Sequence, residues 1–170
     1  RRNGITTFET KSGYGLNIQD ELRSLKIAAT LTDEVTVLAA HVVPSEYKDN
    51  RSEYVKLVIE QILPAARPYA RWVDVFCDDG AFSIDETRAI LQAATDLGFK
   101  RRLHANQLSR SDGVQLGIEM GCVSVDHCSH LADEDIALLA HSGVVATLLP
   151  IAEFSTKSSF PHARALLDAG

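Results

Sequence analysis

The feature that most constrains the fold of this chain is a regular alternation between short β-rich runs and amphipathic helical runs. The alternation occurs six times in 170 residues. The expected strands are 5–12, 35–41, 71–79, 99–106, 122–129 and 143–150, and the expected helices are 17–32, 52–70, 83–98, 111–121, 132–143 and 161–170. In the third helix, Ser83 and Glu86 predict a capping box and Gly98 predicts the C-terminal stop. Strands alternating with helices predict a parallel sheet with helical crossovers.

Polar residues at alternate positions of the strands favour a barrel over a flat sheet. The runs "TTFETKS" and "KRRLHAN" are examples. A doubly wound sheet is buried on both faces and accepts such residues at a cost, whereas a barrel can point them into its interior and mouth. A complete (β/α)8 barrel needs eight units and about 250 residues. We therefore expect residues 1–170 to form six consecutive βα units of a TIM-type (β/α)8 barrel, truncated at both ends within a longer protein.

Composition excludes several other classes of protein. The net charge is −6 and no basic patch with interleaved aromatic residues is present, which argues against nucleic acid as a partner. No apolar run reaches the ~18 residues that a membrane span needs. Three cysteines without a CxxC pair indicate reduced thiols in a cytoplasmic protein. No glycine-rich phosphate loop follows any expected strand, which argues against a nucleotide cofactor.

The expected strand ends carry most of the residues that could do chemistry. In chain order they are Ser12 and Tyr14, His41, Cys77 with Asp78 and Asp79, His104 with Asn106 and Gln107, Asp126 with His127, and Leu149 with Pro150. If the strands are parallel, these groups share one rim, where barrel enzymes keep their active sites. A single strand-end histidine is more often a structural residue than a ligand, but three on one rim favour a site. Imidazole groups suit a zinc or iron ion, which lowers the pKa of bound water to about 7.

Other residues keep open alternatives. His130, His141 and His162 lie in expected helices or loops, where a structural role is the simpler interpretation. Asp78 and Asp79 are equally well explained as the start of a turn. The loop around Tyr14, between two glycines, fits either a plain turn or a backbone that approaches a ligand.

Six motifs in order resemble one known family. "ETKSGYGL", "AAHVVPSEYK", "VDVFCDDGAFS", "LHANQLS", "SVDH" and "LLPIAEF" are similar to the imidazolonepropionase family of the metal-dependent amidohydrolases. The resemblance covers essentially the whole chain. It implies a (β/α)8 barrel flanked by a small β-sandwich built from both chain ends. It also implies hydrolysis of the ring amide of 4-imidazolone-5-propanoate to N-formimidoyl-glutamate in histidine degradation, and the family suggests a homodimer.

The resemblance also implies roles for five residues of this sequence. His104 resembles the metal-binding histidine of the fifth barrel strand. Tyr14 and His41 resemble residues that contact the substrate, Tyr14 on its propanoate side. Gln107 matches a position near the imidazolone ring, and because an amide cannot titrate we expect it to hydrogen-bond only. His127 resembles the histidine that polarises the carbonyl or moves protons around the metal-bound water.

Several family residues would lie outside this sequence. A His-x-His pair on the first strand and the substrate-binding Arg would precede Arg1, and a metal-binding Asp on the eighth strand would follow Gly170. One metal ligand of four does not make a site of useful affinity, so we expect this chain alone to be inactive. The competing hypotheses are a different amidohydrolase, acting on another cyclic amide or a deaminase substrate, and a non-catalytic barrel whose histidines are only packed.

Overall fold

Six parallel strands form one sheet in the order in which they occur in the chain. The computed structural model describes residues 2–170. The strands are β1 (Thr10–Lys11), β2 (Val35–Ala40), β3 (Trp72–Cys77), β4 (Lys100–Ala105), β5 (Ser124–His127) and β6 (Val145–Thr147), and the sheet order is β1-β2-β3-β4-β5-β6. A doubly wound sheet reverses its order at a switch point. Consecutive order in a curled sheet is the barrel arrangement, which confirms the prediction of six barrel units.

Helices connect the strands along one side of the sheet. They are α1 (Ile18–Ala28), α2 (Arg51–Leu57), α3 (Leu63–Ala66), α4 (Ile84–Asp96), α5 (Gly113–Glu119), α6 (Asp133–Ser142), α7 (Pro150–Thr156) and α8 (Ala163–Ala169). A π-helical turn, Val58–Ile62, joins α2 to α3 just before Pro64. Proline has no N–H and its ring crowds the carbonyl four residues earlier, so a widened turn there accommodates it. No helix in residues 2–170 is long and apolar enough to cross a membrane.

The predicted signals for α4 are present. The Ser83 hydroxyl accepts from the Glu86 amide and the Glu86 carboxylate accepts from the Ser83 amide, which completes the capping box. Gly98 has φ +77 and follows the last turn of the helix, as expected of a C-terminal stop. All three cysteines are free thiols and buried.

Two expectations about element boundaries were wrong. The strand expected at 5–12 pairs only over Thr10–Lys11, where β1 forms the sheet edge and has β2 as its single described neighbour. The strand expected at 143–150 ends at Thr147, and Pro150 begins α7, which was not expected. Proline fits the first turn of a helix because the N–H it lacks would have no partner there.

The two faces of the sheet have different chemistry. Val73, Val75 and Cys77 of β3, and Leu103 and Ala105 of β4, belong to the hydrophobic core packed against the helices. The intervening residues point to the opposite, concave face because side chains alternate along a strand. They are Trp72, Asp74, Phe76, Arg102, His104 and Asp126. The interior of the barrel segment is therefore aromatic and charged, and the aliphatic core lies outside the sheet.

Candidate active site

Five rings form a continuous row at the carboxyl ends of the strands. The distances between ring centroids are 5.3 Å for Tyr14–His41, 6.0 Å for His41–Phe76, 6.0 Å for Phe76–His104 and 5.2 Å for His104–His127. The structure thus brings together four of the five residues that the sequence pointed to, from four different strand ends. Phe76 was missed, although its place two residues after Asp74 in an alternating strand puts it on the concave face.

Tyr14 lies on a loop held by one buried carboxylate. Glu21 Oε1 accepts hydrogen bonds from the backbone N–H groups of Gly13, Gly15 and Leu16 at 3.2, 2.9 and 3.0 Å. Gly13 has φ +117, and a Cβ there would come within 2.8 Å of the Leu38 carbonyl oxygen, so only glycine fits. The Tyr14 side chain is 87% exposed and projects from a fixed loop.

His41 is tied to the same loop. Its Nδ1 lies 3.0 Å from the carbonyl oxygen of Gly13, so Nδ1 carries the proton and donates to that oxygen. Nε2 makes no hydrogen bond within residues 2–170. Tyr14 and His41 stand edge to face, with an interplanar angle of 86°. This end of the row offers one phenol and one imidazole at a surface open to a ligand.

His104 lies above a buried cluster of charges. Its Nδ1 is 2.9 Å from Asp74 Oδ2 and 4.0 Å from Asp126 Oδ2. The Lys11 ammonium lies 2.7 Å from the same Asp74 oxygen and 3.2 Å from that of Asp126. Sequence reasoning missed Lys11 and Asp74 as a pair, because the two residues lie 63 positions apart in the chain.

The charges in this cluster support each other. Burial raises the pKa of Asp74, but the charges of His104 and Lys11 outweigh it and hold the pKa well below its ordinary value. Burial lowers the pKa of Lys11, but Asp74 and Asp126 raise it well above its usual range. For His104, burial also lowers the pKa, and the charge of Asp74 outweighs it, so the pKa lies above its ordinary value. Asp74 and Lys11 are therefore ionised at neutral pH, and the surroundings of His104 favour its charged form.

The cluster fits a metal ion in part. Asp74, His104 and Asp126 each offer one ligand atom, and the three atoms lie within 4.8 Å of one another. His104 Nδ1 and Asp74 Oδ1 are buried and make no hydrogen bond within residues 2–170, so the His104–Asp74 approach is a charge contact rather than an aligned hydrogen bond. One imidazole and two carboxylates form a donor set suited to zinc or iron. Lys11 competes for the remaining oxygens, which limits the affinity of the cluster by itself.

His127 ends β5 and is held by a second buried carboxylate. Its Nδ1 lies 3.0 Å from Glu153 Oε1, and the Ser129 hydroxyl donates to the same oxygen at 2.9 Å. Glu153 is 2% exposed and comes from α7, the helix that was not expected. The segment "LLPIAEF" was among the motifs, but no sequence pattern indicated that its glutamate would reach His127.

The His127 pair has its own ionisation state. Burial lowers the pKa of His127, and although the hydrogen bond with Glu153 raises it, the pKa remains below its ordinary value. Burial raises the pKa of Glu153, but hydrogen bonds from His127 and Ser129 hold it below its ordinary value. At neutral pH His127 is therefore neutral and Glu153 is ionised.

Gln107 lies beside the row and outside it. Its backbone N–H donates to Asp78 Oδ2 at 2.8 Å, and the N–H of Leu108 donates to the same oxygen at 2.9 Å. Asp78 is buried and anchors the loop after β4. Its backbone carbonyl also accepts from the Ala81 N–H at 3.0 Å, as expected of a residue that starts a turn. The Gln107 side chain is half-buried and makes no hydrogen bond with residues 2–170.

A large cavity opens next to the Tyr14 end of the row. Its volume is about 590 Å³, and it is lined by the loops that follow β1 and β2, 15–17 and 42–47. These residues directly follow Tyr14 and His41 in the chain. Tyr14 and His41 do not line the cavity themselves, and no residue of the charged cluster under His104 lines it.

Comparison with curated proteins identifies close relatives of the whole chain. Proteins named imidazolonepropionase from Salinispora tropica, Streptomyces avermitilis and Mycolicibacterium smegmatis are 59, 57 and 56% identical over 171, 169 and 169 residues. Each match covers 99% of this chain but only 44, 41 and 43% of the relative. The chain thus spans about two fifths of the length of these relatives. No family model matches it.

Solved structures support the fold. A triazine hydrolase variant has a TM-score of 0.70 at 16% identity, and a mutant of atrazine chlorohydrolase from Arthrobacter aurescens TC1, complexed with zinc and atraton, has 0.65 at 17%. Both matches cover 98% of this chain and 43% of the other. An amidohydrolase from Brucella melitensis has a TM-score of 0.63 at 18% identity. These neighbours are amidohydrolases, and at such low identity they bear on the fold alone.

Proposed function

We propose, from the premise that this chain is the central part of an imidazolonepropionase, that the whole protein hydrolyses the ring amide of 4-imidazolone-5-propanoate to N-formimidoyl-glutamate. The observation that carries the proposal is identity of 56 to 59% to proteins of that name over 99% of the chain. In this proposal residues 1–170 supply six barrel units, and the remaining units and a flanking β-sandwich come from outside them. The enzyme would act in the cytoplasm, as a homodimer.

Tyr14 and His41 are proposed to bind the substrate. Their rings meet edge to face beside an open cavity, on a loop fixed by Glu21. The Tyr14 hydroxyl can donate to the propanoate carboxylate, and the bare Nε2 of His41 can accept from a ring N–H of the substrate. Gln107 is proposed to hydrogen-bond the imidazolone ring, with its loop held by Asp78.

His104 is proposed to hold a zinc or iron ion, together with ligands outside this chain. Its unpartnered Nδ1 and the neighbouring carboxylates of Asp74 and Asp126 supply nitrogen and oxygen donors of the right kind. When bound, such an ion polarises a carbonyl and lowers the pKa of water. Lys11 and Asp74 keep His104 in place under the rim.

His127 is proposed to move the proton during hydrolysis. With Nδ1 donating to Glu153, the neutral ring has Nε2 free to accept a proton from the attacking water. The protonated ring can then donate that hydrogen to the developing oxyanion or to the leaving nitrogen. Of the two roles that the resemblance implies, this geometry favours proton transfer over polarisation of the carbonyl at the start of the reaction.

The proposal is tested with the full-length protein and 4-imidazolone-5-propanoate as substrate. Tyr14→Phe removes one hydrogen bond to the substrate, so KM should rise about threefold to tenfold with kcat nearly unchanged. Tyr69→Phe is the matched control, because Tyr69 is half-buried beside Lys26 away from the rim, and its kinetics should equal the wild type. No ring opening by the wild-type protein, or an unchanged KM for Tyr14→Phe, would contradict the proposal.

This chain on its own is proposed to be inactive and to bind metal poorly, because its cluster offers one imidazole and its carboxylates are shared with Lys11. The expected result is no zinc or iron after dialysis of residues 1–170, measured by atomic emission, against about one ion per chain in the full-length protein. Stoichiometric metal in the dialysed 170-residue chain would contradict this prediction.

A further inference from the structure

The buried carboxylate of Glu153 accepts hydrogen bonds from two side chains at the end of β5, those of His127 and Ser129. Oε1 receives both His127 Nδ1, at 3.0 Å, and the Ser129 hydroxyl, at 2.9 Å, whereas Oε2 is buried with no partner in residues 2–170. A carboxylate at 2% exposure loses its hydration, so it is retained at a cost unless its contacts compensate. The two donors from the end of β5 provide that compensation.

The contact determines where His127 carries its hydrogen. An ionised carboxylate only accepts hydrogen bonds, so Nδ1 must be the protonated nitrogen of the ring. Nε2 makes no hydrogen bond within residues 2–170 and is not among the fully buried atoms that lack a partner, although His127 as a whole is only 5% exposed. The ring stands 5.2 Å from that of His104, which places Nε2 at the part of the site where the reacting atoms are proposed to lie.

The backbone at His127 has an unusual conformation that fixes the direction of its side chain. His127 has φ +77 and Cys128 has φ +53, two successive non-glycine residues in the left-handed region. Such conformations cost energy and persist where surrounding contacts fix them. Here the Cys128 N–H donates to the Ala105 carbonyl at 3.3 Å, and the Ser129 hydroxyl is fixed on Glu153. The chain turns sharply at the strand end and Glu153 holds the side chains on both sides of the turn.

We propose that Glu153 is a positioning residue that keeps His127 in the Nδ1–H form and directs its Nε2 at the substrate. The kinetic part of this inference rests on the proposed function, whereas the tautomer itself does not. Among the described hydrogen bonds and ion pairs, His127 is the single ring of the row that Glu153 contacts, and Glu153 contacts no member of the charged cluster under His104, so its effect on the reaction passes through His127.

The tautomer is measured first in the wild-type full-length protein. With ¹⁵N-labelled histidine, the ¹⁵N shifts of His127 should show a protonated Nδ1 and a bare Nε2 at neutral pH. In Glu153→Gln the side-chain amide can donate to Nδ1, so the Nε2–H form should become populated. A wild-type ring protonated on Nε2, or an unchanged tautomer in Glu153→Gln, overturns the inference without any reference to activity.

Kinetics then test the consequence. Glu153→Gln should lower kcat, expressed per bound metal ion, about 10- to 100-fold with KM within about twofold of the wild type. Glu153→Asp keeps an anionic acceptor and should retain more kcat than Glu153→Gln, whereas Glu119→Gln, at an exposed pair with Arg88, should match the wild type. The inference is overturned if the kcat of Glu153→Gln equals that of the wild type. It is also overturned if the kcat of Glu153→Asp is lower than that of Glu153→Gln. If the wild-type protein does not open 4-imidazolone-5-propanoate, the proposed function fails and the tautomer still decides the role of Glu153.

Discussion

His104 and His127 are neighbours whose rings lie 5.2 Å apart, and each has Nδ1 about one hydrogen-bond length from a buried carboxylate. Their pKa values nevertheless move in opposite directions, upward for His104 and downward for His127. Burial lowers the pKa of both rings. For His104 the charge of Asp74 outweighs burial, whereas for His127 the hydrogen bond of Glu153 does not, and the nearby His104 lowers the pKa further.

The difference shows that a carboxylate partner does not by itself define what a histidine does. Asp74 is shared among His104 and Lys11 in a cluster of full charges, so His104 lies where positive charge is favoured. Glu153 is shared with a hydroxyl, so His127 lies where a neutral ring is favoured. The surroundings of His104 suit the proposed metal ligand, and those of His127 suit the proposed proton acceptor.

The largest expected effect comes from removing each ring in the full-length protein. His104→Ala should lose the bound metal and with it the activity, because the proposed metal ligand is gone. His127→Ala should keep the metal and lose kcat by about 10²- to 10⁴-fold, the usual contribution of a general acid–base group. Metal analysis beside steady-state kinetics separates the two. Equal metal loss in both variants would mean that the two rings do not differ as described.

The next effect concerns stability. Asp74→Ala removes the anion nearest to both Lys11 and His104 and should destabilise the full-length protein by about 3–5 kcal/mol in urea unfolding. Glu153→Gln leaves a neutral ring and should cost about 1–3 kcal/mol. Combining Asp74→Ala with Lys11→Met also removes the ammonium group that has lost its nearest anion, and should recover part of the loss. If Glu153→Gln destabilises the protein more than Asp74→Ala does, then the contrast between the charged surroundings of His104 and the neutral ring of His127 is wrong.

The smallest effect is on the pH dependence of stability, measured in the metal-free full-length protein. The pKa of His104 is raised on folding, so its contribution is complete below about pH 6.5 and is lost as pH rises through the folded pKa. The pKa of His127 is lowered, so its contribution is complete above about pH 6.5 and is lost as pH falls through the folded pKa.

Near neutral pH, the two substitutions should therefore change the slope of unfolding free energy against pH with opposite signs. His104→Gln should make the free energy of unfolding rise more steeply with pH, and His127→Gln should make it rise less steeply. Glu119→Gln again serves as the control with an unchanged slope. Slopes that move in the same direction in both histidine variants would show that the two environments are alike.

Much of this architecture could be predicted from the sequence because it follows from periodicity. The six strand–helix units, the capping box of α4 and the common rim of Tyr14, His41, His104 and His127 depend on local patterns and on the parallel direction of the strands. The charge of Lys11 and Asp74 is visible in the sequence, but their pairing joins residues 63 positions apart and depends on the curvature of the sheet.

Two misses have a simpler cause. Glu153 lies in α7, and the sequence interpretation ended the sixth strand at Pro150 without a helix, so the carboxylate had no assigned position. The run "KRR" at 100–102 begins β4, between two other strands, and the partners of its side chains could not be predicted from the sequence. Arg102 pairs with Glu9 at 3.0 Å and stacks over Trp72 at 4.1 Å. Charges inside a barrel look, in sequence, like charges at its surface.

Lys11 also bears on the balance of charge in the interior of the half-barrel. Two basic side chains, Lys11 and Arg102, already balance much of the negative charge of Glu9, Asp74 and Asp126 at the centre of the barrel. Without these two side chains, the three carboxylates would repel one another unless a cation lay between them. With these counter-ions encoded in the polypeptide, the half-barrel does not need a bound cation to neutralise most of the negative charge in its interior.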